Sequence, residues 1–76
     1  MGTLDHAERR QFGDVIREQR KLLGVSQERF AEICEVHRTY IGQVERGEKN
    51  LSFDSILRIA KGLEKPPSTL FELANL

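Results

Sequence analysis

Apolar residues in this chain recur at intervals of three and four, and no window alternates apolar and polar positions with the β-branched enrichment of a strand. The pattern predicts an all-α fold of five helices. Asp5 and Glu8 have capping-box spacing and open a first helix over about residues 6–23. Its apolar stripe is Phe12, Val15, Ile16, Leu22 and Leu23, with Arg9, Arg17, Glu18 and Lys21 on other faces. Gly24 supplies a left-handed stop, and Arg20 and Lys21 suit the negative helix end. Ser26 caps a second helix over about 27–34, with Glu28 in its first turn and Phe30, Ala31 and Cys34 turned inward. His37 is an unusual cap for a third helix over about 38–46, which Gly47 ends. Both are too short to stand alone and need the helices around them. Ser52 caps a fourth helix with Phe53, Ile56, Leu57, Ala60 and Leu63 as its stripe and Gly62 weakening its last turn. Pro66 and Pro67 stop that helix and open a short fifth, whose apolar tail is Leu70, Phe71, Leu73 and Leu76.

The third helix divides sharply. With Arg38 at zero and about 100° per residue, Tyr40, Val44 and Ile41 fall at about 200°, 240° and 300° and form a core face. Arg38, Thr39, Gly42, Gln43 and Arg46 spread between about 0° and 140°, all small or able to hydrogen-bond, and that face is free to meet a partner.

Composition narrows the classes. A chain of 76 residues that is 38% hydrophobic can build one small helical core, hence one domain over 1–76. Cys34 cannot form an internal disulfide and reads as a buried packing residue; with only His6 and His37 elsewhere it makes no zinc set. No metal or other cofactor is expected. There is no apolar run near the ~20 residues that cross a bilayer, and no signal-peptide core, so a soluble, cytoplasmic protein is expected. Met1-Gly2 opens like a myristoylation site, but His6 stands where Ser or Thr is needed. No Gly-rich phosphate loop, paired catalytic carboxylates or nucleophile with a base is recognisable, so the chain is not expected to be an enzyme. Twelve basic residues balance twelve acidic ones. Nucleic-acid binding must therefore rest on local arrangement, not on net charge.

Ser26-Gln27-Glu28, Ala31, Arg38-Thr39-Tyr40-Ile41, Glu45-Arg46-Gly47, Asn50 and Ile59-Ala60-Lys61 together resemble the Cro/C1-type helix-turn-helix regulators, the XRE family. The resemblance runs from the first helix to Phe71, with the helix-turn-helix itself at about 26–46. Compact members such as restriction-modification controller proteins and small phage-type repressors are similar in length and share the Arg38–Ile41 segment. The resemblance implies a compact five-helix lambda-repressor-like domain that binds double-stranded DNA through its third helix.

Physical chemistry agrees. A helix ~10–12 Å across fits a major groove about 12 Å wide, where base edges are distinguishable. Arg38 can fork onto guanine O6 and N7, Gln43 can pair with an adenine edge, and Thr39 can meet a thymine methyl or a phosphate. Gly42 either lets the helix axis approach the bases or reflects no more than tolerance of a small residue there. Gln27 resembles the family's phosphate-contacting glutamine at a helix N-terminus. Arg46, Lys49, Asn50 and Ser52 lie in or beside a loop that runs along the DNA backbone in the family, and His37 and Tyr40 join the DNA-contacting set. Glu45 would repel phosphate. The resemblance pairs it instead with Arg20, as a structural tie between the first and third helices. The family usually carries Gly at Glu35 and Ser or Thr at His37, so Glu35 is expected to take a positive φ.

One reading helix covers few base pairs, and a neutral domain has no large electrostatic reserve, so a homodimer on a near-palindromic operator is expected. The candidate dimer surface is the fifth helix with the tail, Leu70, Leu73 and Leu76, extended by the fourth helix; the alternative is that these leucines close the monomer core, and for Leu70 alone that alternative is favoured. The leading reading is a homodimeric transcription regulator controlled by its own concentration, with an autoregulated controller fitting well. An antitoxin of a toxin-antitoxin pair shares the fold, and a helical protein-interaction bundle without DNA binding is the reading from another class. Salt-dependent duplex binding separates that last reading from the rest.

Overall fold

Helix ends lack intrahelical partners for their first N–H groups, and four side chains here supply them. Asp5 and Glu8 form a reciprocal capping box: the Glu8 N–H donates to Asp5 Oδ1 at 2.8 Å and the Asp5 N–H to Glu8 Oε1 at 3.0 Å. Ser26 Oγ accepts from the Arg29 N–H at 3.0 Å, and Ser52 Oγ accepts from the Ser55 N–H at 3.1 Å. His37 caps as well, its Nδ1 accepting from the Thr39 N–H at 3.1 Å. The computed structural model describes residues 5–76, with α1 at His6–Leu23, α2 at Gln27–Cys34, α3 at Arg38–Glu45, α4 at Phe53–Gly62 and α5 at Pro67–Leu73. The Met1-Gly2 pair lies outside the described residues. No strand occurs among them, and no helix is long and apolar enough to cross a membrane. Arg46 is the C-cap of α3, so that helix ends one residue earlier than the pattern predicts.

Phe12, Ile16, Phe30, Ile41, Val44, Ile59 and Leu70 are fully buried in one cluster, and the Phe12 and Phe71 rings meet at 5.2 Å between centroids. Burying a side chain of this size stabilises the fold by about 1.5–3 kcal/mol. Two stripes differ from expectation. Leu22 and Leu23 are 78% and 41% exposed; Leu22 is rotated about 120° from Ile16 around α1. Phe53 and Leu57 are 76% and 41% exposed, because the buried side of α4 centres on Ile59, Ala60 and Leu63. Phe53 and Leu57 lie about 120° and 160° around the helix from Ile59.

Of the three candidate dimer leucines, Leu70 takes the alternative place in the core. It is wholly inside the monomer, so it closes this core and cannot form a dimer surface, whereas Leu73 and Leu76 are 52% and 45% exposed.

Close approaches fix how α3 sits. A Cβ on Gly13 would lie 2.3 Å from the Val44 carbonyl oxygen, so α1 meets the end of α3 backbone to backbone. A Cβ on Gly62 would lie 2.6 Å from Cys34 Sγ, which gives that glycine a packing reason beyond its weak helix propensity.

Candidate nucleic-acid interface

The turn before α3 places its first residues in the open. Glu35 adopts the left-handed conformation at φ 60° and ψ 43°, and Arg58 Nη1 donates to its carbonyl oxygen at 3.0 Å. Arg58 also bonds Asp54 at 2.8 Å, so α4 braces the turn. Behind α3, Ile41 and Val44 enter the core. Beside them Glu45 is 5% exposed, and Arg20 grips it with Nε to Oε2 at 2.6 Å and Nη2 to Oε1 at 3.1 Å. Arg20 Nη1 continues to the Val25 carbonyl at 2.9 Å. Gln27 Nε2 donates to Glu45 Oε1 at 2.9 Å. One buried carboxylate therefore joins α1, α2 and α3.

Outward, Gln27, Glu28, Arg38, Thr39, Gly42 and Arg46 line a single groove between α2 and α3. Gly42 forms its floor and, contrary to the open position expected of it, is buried. An added Cβ would come within 3.2 Å of Arg46 Nη1 and 3.6 Å of Gln27 Oε1. The missing side chain thus leaves room for the neighbouring polar groups. Gln43 is half-buried on the adjoining strip, and Lys49, Asn50 and Ser52 are exposed in the segment after α3. That segment is tied back to α1: Arg9 Nε donates to the Gly47 carbonyl at 3.1 Å and Arg9 Nη1 to Asn50 Oδ1 at 3.3 Å. His37 and Tyr40 line a separate depression with Val36, Asp54, Ser55 and Arg58. Since His37 Nδ1 accepts the cap bond, only Nε2 is left to donate to a phosphate in that tautomer.

Sequence reasoning missed the anions of this face. Arg38 Nη1 lies 3.4 Å from Glu28 Oε1. Arg46 makes a two-point contact with Glu48, Nε to Oε2 at 2.8 Å and Nη2 to Oε1 at 3.2 Å. Hydrogen bonding to Arg46 holds the Glu48 carboxyl below its ordinary range and raises the arginine in turn. A turn separates Glu28 from Arg38, so no helical spacing rule exposes that pair. The Arg46–Glu48 contact depends on the chain reversing at Gly47, whose φ is 74°.

Known proteins share this fold. A helix-turn-helix family model, HTH_3, matches residues 16–70. The control protein C.BamHI of Bacillus amyloliquefaciens is 39% identical over 66 residues, 86% of this chain and 82% of its own. The control protein C.SmaI of Serratia marcescens is 46% identical over 48 residues, 63% of this chain and 57% of its own. The crystal structure of the restriction-modification controller protein C.AhdI from Aeromonas hydrophila superposes with a TM-score of 0.83 at 42% identity, covering 86% of this chain and 98% of that one. The sequence matches and the superposition agree, and the chain belongs to the HTH_3 helix-turn-helix family, the XRE-type DNA-binding transcriptional regulators.

Proposed function

We propose that the chain acts as a homodimer on a near-palindromic operator, as an autoregulated controller whose occupancy follows its own concentration. The observation that carries this is the groove itself, with Gln27, Arg38, Thr39 and Arg46 around the buried backbone of Gly42. Arg38 and Gln43 read base edges, Arg38 as a fork on guanine and Gln43 through its amide on adenine. Thr39 touches a thymine methyl or a phosphate. Gln27, Arg46, Lys49, Asn50 and Ser52 hold the sugar-phosphate backbone, together with His37 Nε2 and the Tyr40 hydroxyl, and so set register, not sequence.

Size supports the dimer. The monomer's longest extent is 32 Å, while successive major grooves on one face of the duplex are about 34 Å apart, so one copy cannot set reading helices in both. Leu73 and Leu76 form the apolar contact; Leu73 already lines a shallow depression with Val15, Asp14, Glu18 and Gln19. No catalytic step belongs to this reading. Selection of bound sequences from random duplexes tests it. The expected product is two inverted half-sites with centres about 10 base pairs apart or a multiple of that. A single unrepeated half-site would contradict the dimer, and no enrichment would contradict specific reading.

A further inference from the structure

Arg38 enters the groove already paired with a carboxylate. Its guanidinium lies 3.4 Å from Glu28 across the helix-turn-helix, and the two side chains are 66% and 72% exposed. The pair therefore adds nothing to the core. What it biases is the direction of one long side chain. A guanidinium has five N–H donors in a rigid fork, so one edge can stay with Glu28 while the other faces the mouth of the groove.

We infer that Glu28 is a specificity-determining positioning residue, holding Arg38 toward a base edge and away from phosphate; this rests on Arg38 as a base reader. Phosphate lies all along a duplex and accepts any arginine able to swing to it, whereas guanine offers its paired acceptors at one place. Held on Glu28, Arg38 stays in the groove that both residues line, which favours a base edge entering that groove over phosphates outside it. The carboxylate thus weakens binding to random DNA more than binding to the operator, which is how a chain with zero net charge discriminates without a large electrostatic affinity.

Glu32 is a matched control. It lies on the same helix, is exposed and contacts Arg29 at 3.6 Å, but it does not line the groove. Both Glu28→Gln and Glu32→Gln add one unit of net charge, and only the first releases Arg38. The experiment is a set of fluorescence-anisotropy titrations of the full chain at several salt concentrations, against the selected operator and a random duplex of equal length. Glu28→Gln is expected to bind the random duplex about 1.5- to 5-fold more tightly, the range of an exposed ion pair, with operator affinity unchanged or lower. Glu32→Gln shifts both duplexes by one common factor. In an Arg38→Ala background the selective effect of Glu28→Gln disappears. Equal shifts from Glu28→Gln on both duplexes, or none on either, overturn the proposal while leaving Arg38 as a reader. If Arg38→Ala preserves every base-pair preference, the base-reading assignment falls and the proposal falls with it.

Discussion

At Glu45 a carboxylate with a side chain only 2% exposed is met by three hydrogen bonds, two from Arg20 and one from Gln27. An unpaired charge at such a depth is strongly disfavoured, and the bonds from Arg20 make it tolerable. Arg20→Ala should lower unfolding stability by about 3 kcal/mol or more, read from urea denaturation. An unchanged midpoint with weakened DNA binding would show that Arg20 serves the ligand and not the fold. Cys34 gives a second prediction at this scale. Burial pushes its thiol up from 9.0 to about 11. Between those values the folded chain keeps a proton that the unfolded chain releases, so the thiol's contribution is complete below pH 9.0 and lost as pH rises toward 11. Wild-type stability should fall across that window by more than that of Cys34→Ala, measured by denaturation at each pH.

Among the elements, the helices show what can be read from a sequence and what cannot. The caps at Asp5, Ser26, His37 and Ser52 are local, each using a side chain within three residues of its target, and such signals are visible in one dimension. Helical angle likewise separates Ile41 and Val44 from Arg38 and Thr39. The misplaced Leu22, Phe53 and Leu57 mark the limit, since apolar spacing gives a stripe but not which edge of it neighbouring helices will cover. The bonds from Arg9 to the segment after α3, and the close contact of Gly13 with that helix's end, are set by packing and leave no local signal. The turn residue Glu35 was legible as an exception, a side chain where φ is positive. Glu35→Gly should relieve it and stabilise the protein by about 1 kcal/mol without altering base preference. Thermal unfolding together with operator titration checks both halves. A loss of stability would mean that contacts of the Glu35 side chain outweigh the strain.

For the molecule as a whole, zero net charge leaves no bulk attraction for DNA, and on the proposed reading affinity comes from placement and from copy number. The core and the Arg20–Glu45 tie hold α3 from behind, and the proposed reading surface is the groove in front. Titrating wild type and Arg38→Ala against the selected operator and its single-base variants tests that division most directly. The prediction is a loss of about 1–3 kcal/mol on the operator, with discrimination relaxed at one base pair of each half-site and unfolding stability retained. Equal losses on operator and random duplex would contradict base reading by the outer face of α3.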